Sequence, residues 1–350
     1  MNKNIFIRES KKTIKKALTE LTVKQALMEL GREVYMKIHF TSENSGQYSN
    51  HSIYEDGFSK GQEIIKKYLA QKNPCMLARF GATELKAFST WLQVNNKLTD
   101  SFSFNARKYI RNECMPKWFT LRNIHSMDYL SGFFPATKEN LQKWGSLVEK
   151  DLTEVDLLFT WQEMEKYVCE YLNGVPRVFY AEMYFPYRFS NPWSAALENK
   201  KVLVVSPFAE SIEKQYSERR EKIFPGTEVL PQFELKTIKA YNTIGGNNPY
   251  KEINNWFEAL EIMKNKMDRI DYDIALLGCG AYAFNLAAHA KRNGKKAITL
   301  CGSLQVLFGI YGERYEAYLQ QLGLINEYWV RPSLSEKPDE YKLVENGAYW

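Results

Sequence analysis

The chain has 350 residues, 45% of them hydrophobic and 25% charged, with a formal net charge of +6. This balance suits a globular protein with a sizeable core, and it excludes a disordered or collagen-like chain. The mild positive charge fits an anionic small ligand or an anionic surface and is too small to argue for nucleic acid. No stretch approaches the roughly 20 apolar residues of a membrane span, and the start MNKNIFIRESKKTIKK has no apolar signal core. Five cysteines, Cys75, Cys114, Cys169, Cys279 and Cys301, form no CxxC pair. Free thiols and a cytoplasmic location are therefore expected.

Met1 to about Phe40 reads as helical, with Leu27, Leu30, Val34 and Ile38 at helical spacing, a stripe expected to dock on something. Ahead of it, Lys3, Arg8, Lys11, Lys12, Lys15 and Lys16 interleave with Ile5, Phe6, Ile7, Ile14 and Leu18. Such a pattern suits peripheral contact with an anionic inner-membrane surface, but a solvated helix face is preferred while no larger apolar face is in view. Thr41 to His51 is a polar loop. Ser59 to Ala70 is a helix, Cys75 to Ala78 a buried strand, and Arg79-Phe80-Gly81-Ala82-Thr83-Glu84 a turn opening a helix to about Val94. Asn105 to Pro135 has no clear pattern. Then come a helix from Lys138 to Lys150, a strand from Val155 to Thr160, a helix from Trp161 to Leu172 and a strand from Arg177 to Tyr180.

From Lys201 the alternation is plain: strand Lys201–Val205, helix Ala209–Lys222, strand Leu235–Ala240, helix Lys251–Met267. Tyr272 to Gly309 then reads as a βαβ unit, with strands Ile274–Leu277 and Ala297–Leu300 around a small-residue helix. The tail is polar until Tyr349-Trp350, an aromatic end suited to docking on the body. The expected fold is α/β, a Rossmann-like, mainly parallel sheet with helices on both faces, plus a helical N-terminal extension. The expected organisation is an extension over 1–45, a first α/β half over 46–190, and a Rossmann-like, ligand-holding half over 191–350.

Three turns share one layout, strand to small residues to helix: Ser206 to Ser211, Gly278 to Ala281, and Gly302-Ser303-Leu304-Gln305. In a parallel sheet they lie on one carboxyl edge, where helix N-termini favour a pyrophosphate. Gly278-x-Gly280-x-x-Ala283 fits the relaxed dinucleotide form. The next strand, however, ends Thr299-Leu300-Cys301-Gly302, without the acid that would hold an adenosine ribose. An NAD-dependent oxidoreductase therefore ranks behind a transferase. In the earlier turn, Arg79 offers a guanidinium fork for phosphate, and Glu84 a general base or metal ligand. The plainer alternative is that Glu84 complements the helix dipole and pairs with Arg79, and the bare sequence favours it.

The RFGATE stretch, followed by LLGCGAYAFNLAAHAKRNGKKAITLCGSLQ, resembles bacterial GT-D-type glycosyltransferases. That family pairs an early R-[FY]-G-D-G-E motif with a late G-x-x-A-x-x-L-A…G-x-x-A-I-x-x-G block. SPFAES and GSLQVLFGIYGERY look like a related branch of surface-polysaccharide assembly. The resemblance implies sugar transfer from a nucleotide-activated donor, often UDP-linked, with galactofuranose one candidate sugar, to a glycan or lipid-linked acceptor. Arg79, Gly81, Ser206, Ser211, Gly278, Gly280, Gly302, Ser303 and Gln305 are the expected donor-binding residues. The family's D-G-E is Ala82-Thr83-Glu84 here, so one acidic group is missing and a lone carboxylate makes a poor divalent-metal site. No cofactor is expected, and Arg79 with the helix N-termini is expected to stabilise the departing diphosphate. Glu84, or alternatively Glu182 among its aromatics, is the expected base of an inverting displacement. Arg314, after Gly312, could reach phosphate, though a surface role is preferred, and His289 reads as structural. A non-catalytic nucleotide- or phosphosugar-binding protein of the same fold is the rival reading.

Overall fold

A computed structural model describes residues 21–39, 59–246, 248–338, 341–344 and 347–350. The expectations for Met1 to Glu20 and for the Thr41–His51 loop fall outside these residues. In chain order the elements are helix α1 (Val23–His39), α2 (Ser59–Ala70), strand β1 (Cys75–Ala78), α3 (Ala82–Val94), α4 (Ala106–Ile110), α5 (Leu121–Tyr129) and α6 (Lys138–Leu152). Then follow β2 (Val155–Thr160), β3 (Arg177–Phe179), α7 (Tyr180–Tyr184), β4 (Lys201–Ser206), α8 (Ala209–Ile223), β5 (Glu234–Lys239) and α9 (Trp256–Asp268). The chain continues through β6 (Ile274–Leu277), α10 (Ala283–Arg292), β7 (Lys296–Thr299), α11 (Ser303–Leu307) and α12 (Glu313–Gln321).

The strands form one seven-stranded sheet in the order β3-β2-β1-β7-β6-β4-β5. Every pairing is parallel. The sheet crosses the two sequence halves, because β1 pairs with β7, Met76 opposite Ala297 and Leu77 opposite Ile298. The central strands are apolar between their end residues, as strands covered on both faces must be. Their side chains alternate between two cores. Met76, Ala78, Leu203, Val205, Ala275, Leu277 and Ala297 face the core under α3, α6, α9 and α10. Cys75, Leu77, Val202, Val204, Ile274, Leu276 and Ile298 face the core under α2, α8 and α12.

Local chemistry explains the helix limits. Asn255 caps α9 by accepting from the Glu258 N–H at 3.0 Å, so the helix starts at Trp256 rather than at Lys251; Ile253 is buried but precedes it. The helix expected over Trp161–Leu172 is instead a 3₁₀ turn, Glu163–Tyr167. There the Glu165 carboxylate accepts from the Trp161 and Gln162 N–H groups at 3.1 and 3.3 Å, tightening the chain as it leaves β2. In α10 the buried Ala287, Ala288 and Ala290 let the helix lie close to the sheet.

The apolar stripe of α1 departs from expectation. Leu27, Leu30, Val34 and Ile38 are 63%, 58%, 48% and 68% exposed. The other side of the helix docks instead. Met28 and Leu21 pack on the Tyr109–Cys114–Trp118 cluster, Glu29 accepts from the Trp118 indole N–H at 2.7 Å, and Arg32 lies 4.9 Å from the Tyr109 ring centre. The segment without a clear sequence pattern supplies this cluster, through α4 and the residues after it. At the other end of the chain the aromatic terminus does dock. Trp350 is buried, its indole N–H donates to the Glu336 carbonyl at 3.3 Å, and Arg331 donates to its carbonyl oxygen at 3.0 Å. No helix among the described residues is long and apolar enough to cross a membrane.

Candidate active-site cleft

β1 and β7 are neighbours, yet β1 leads into α3 on one face of the sheet and the chain after β7 leads into α11 on the other. Strands that part company this way open a crevice at their carboxyl ends. A cleft of about 260 Å³ lies there. Among the described residues that line it, the charged side chains are Arg79, Arg314 and Glu84.

Arg79 follows the last residue of β1. Its backbone N–H donates to the Thr299 hydroxyl at 2.6 Å, which ties the β1 end to the β7 end. The guanidinium lies 4.2 Å from the Trp161 ring centre and 5.6 Å from that of Tyr184, and it hydrogen-bonds the Cys301 side chain. Trp161 is itself held by its indole N–H, which donates to the Phe80 carbonyl at 3.0 Å. The Arg79 Nε is buried without a hydrogen-bond partner. A stacked guanidinium with an orphan donor is prepared for an anion.

Glu84 sits in the first turn of α3. Its carboxylate folds back over Gly81, where a Cβ would meet the carboxylate and push it aside. Burial pushes the Glu84 pKa above its ordinary 4.5, against the pull of its own N–H, the Ser131 hydroxyl and, more weakly, Arg79. Among the described residues no ion pair joins Glu84 to Arg79, contrary to the plainer sequence reading. The carboxylate does lie over its helix N-terminus as that reading held.

The loop at Leu130–Gly132 closes this side. Ser131 reaches Glu84 through its hydroxyl, and its carbonyl accepts from the Ala281 N–H at 3.3 Å. The Gly132 carbonyl accepts from the buried Thr243 hydroxyl at 2.6 Å. Gly280 has φ +57, and a Cβ there would stand 3.0 Å from the Ser131 carbonyl oxygen. At Gly278 a Cβ would stand 2.8 Å from the Cys301 carbonyl oxygen. These glycines thus first serve the protein's own close packing.

The opposite wall comes from the C-terminus. Arg314 donates to the Tyr349 hydroxyl at 2.8 Å and lies 4.7 Å from that ring's centre. Gln305 is 2% exposed; its amide nitrogen donates to the Tyr349 carbonyl at 3.3 Å, and its Oε1 has no partner. Cys301, at φ +51, also lines the cleft.

Of the residues singled out from sequence, Arg79, Gly81, Glu84, Ser206, Gly278, Gly280, Gly302 and Gln305 line the cleft. Three do not. Ser303 turns its hydroxyl to the Leu300 carbonyl at 2.8 Å. Ser211 bonds Glu336 through its hydroxyl and, at 3.1 Å, through its N–H. The α8 N-terminus, expected to meet a pyrophosphate, therefore already carries a carboxylate from the chain's own tail. Glu182 is 1% exposed and lies against α2, where Gln62 donates to its carboxylate at 3.0 Å and to its carbonyl.

The sequence reading missed Ser131, Trp161, Tyr184, Thr243 and Tyr349, and preferred the surface over a phosphate contact for Arg314. Only the arginine and the aromatic terminus carried any signal. His289 accordingly lies outside the cleft, 2.7 Å from the Asp268 carboxylate. Among the described residues no three His, Cys, Asp or Glu side chains gather as a metal site. Comparison with protein-family models, curated proteins and solved structures finds no match for this chain.

Proposed function

We propose that the chain is a glycosyltransferase that moves a sugar from a nucleotide-sugar donor to a glycan or lipid-linked acceptor, in the manner of the GT-D-type enzymes its two motifs resemble. The observation that carries this reading is the unpaired meeting of Arg79 and Glu84 in one cleft at the carboxyl edge of the sheet. A purely structural arginine and glutamate at this spacing would neutralise each other; these two are held apart by different partners.

In the proposed reaction the donor diphosphate lies against Arg79 and Arg314, two cations that favour the charge growing on the leaving oxygen. Glu84 faces the sugar. Its raised pKa brings a carboxylate closer to the range useful for a general base. It takes the proton of the acceptor hydroxyl as that oxygen attacks the anomeric carbon. The bond from that carbon to the phosphate oxygen breaks, and the nucleoside diphosphate leaves with the electron pair. Direct displacement inverts the anomeric carbon. Glu182, spent on Gln62, is not carried forward as the base. UDP is the proposed nucleotide on the resemblance alone, and turnover without a divalent metal is proposed because Ala82 stands where the motif of that family has its first acid.

The test is incubation with a panel of nucleotide sugars and lipid-linked acceptors, with and without EDTA, alongside Glu84→Gln. Turnover of one donor that survives EDTA and is lost in the variant is expected. Absence of both turnover and nucleotide binding would sink the proposal. A second reading is nucleotide binding without chemistry, and the seat of the Glu84 carboxylate on its own helix N-terminus favours it. It predicts unchanged binding and no transfer in wild type and variant alike.

A further inference from the structure

We infer that α1 is a docking helix for an anionic lipid surface. Val23, Leu27, Leu30, Val34 and Ile38 form one aliphatic stripe along its 17 residues, and all five are exposed. They are five of the nine exposed large hydrophobic side chains among the described residues. So dense a cluster marks an interaction surface rather than scattered exposure. The helix presents this stripe while its other side stays fixed to the body through Glu29 and Trp118, Arg32 and Tyr109.

Charge identifies the occupant. Residues 1–39 hold nine Lys or Arg against four Asp or Glu, a net of +5 within a chain whose net is +6. Lys24 and Lys37 are exposed beside the stripe, and six of the other basic residues lie immediately upstream. A second copy packed on this stripe would bring two such segments together and be repelled. A bilayer surface containing anionic lipid accepts the stripe and neutralises the charge together. An apolar stripe alone binds weakly, and the basic segment supplies the second signal that stable attachment needs. The inference is independent of the chemistry in the cleft.

The test is flotation of the full-length chain with vesicles of phosphatidylcholine and phosphatidylglycerol in equal parts, against phosphatidylcholine alone. The double variant Leu30→Asp/Val34→Asp is run in parallel, with its unfolding temperature and molar mass in solution measured. The wild type is expected to float with the mixed vesicles only, and less so in high salt. The double variant is expected to stay behind with its unfolding temperature and mass unchanged. Lys37→Gln should weaken binding to the mixed vesicles about five-fold, the effect of one charge at such a surface. Failure of the wild type to float, or equal flotation of the double variant, would overturn the inference. So would a change in mass or unfolding temperature in the double variant, since the stripe would then be covered by protein.

Discussion

Glu84 owes its place to Gly81. A Cβ at that position would displace the Glu84 carboxylate, the free end of its side chain, so Gly81→Ala should lower donor turnover while the unfolding temperature changes little. Glu84→Gln keeps the shape and removes the base. Transfer should fall by about a hundred- to ten-thousand-fold while nucleotide affinity, measured by calorimetry, holds. The acid limb of the pH–rate profile should lie above the ordinary glutamate value of 4.5, because burial raises this group.

A second buried acid titrates beside the site. Burial pushes Glu165 up to about 7 from 4.5. Between those values the folded chain binds a proton that the unfolded chain has released, so stability falls as pH rises through the window. The effect is on the order of 3 kcal/mol for a shift of this size. Urea unfolding at several pH values should show the drop in wild type and lose this part of it in Glu165→Gln, whose side-chain oxygen still accepts from Trp161 and Gln162.

At the scale of elements, the α8 N-terminus shows how an anion site is read and misread. SPFAES announces a strand, a turn and a helix start, and all three are present. The sequence cannot announce that Glu336, 125 residues away from Ser211, reaches that start. Glu336→Ala leaves the Ser211 N–H and hydroxyl without their acceptor inside the fold, and should cost about 1–3 kcal/mol in urea unfolding. The same distinction applies to α1. Its helical period was legible from Leu27, Leu30, Val34 and Ile38, but period only says which residues share a face. Which face meets the body was settled by Met28, Glu29 and Arg32 finding partners in a segment that had no readable pattern. The short turn after β2 was misread for a related reason, since one carboxylate, Glu165, outweighs the helical propensity around it.

For the whole molecule the decisive fact is that β1 and β7 are hydrogen-bonded neighbours though 220 residues separate Arg79 from Thr299. The two halves drawn at residue 191 are parts of one sheet. A fragment spanning 191–350 would expose the β7 edge and both cores, so it should aggregate or lack the circular dichroism of a folded α/β protein when expressed alone. The intact chain should unfold in one transition.

The sequence by itself determined the strands, most of the helices, the parallel α/β class, and the Arg79–Glu84 and Gly278–Gly280 turns. Each of these is local: apolar runs, helical spacing, and glycine where a side chain cannot fit. Tertiary structure alone decided strand order, and with it that these turns share one cleft. It also assigned Ser211, Ser303 and Glu182 to the protein's own packing, brought Arg314 and Tyr349 to the wall, and left the α1 stripe uncovered. Those outcomes depend on which distant groups satisfy a buried donor or cover an apolar face, and no local pattern records such pairings.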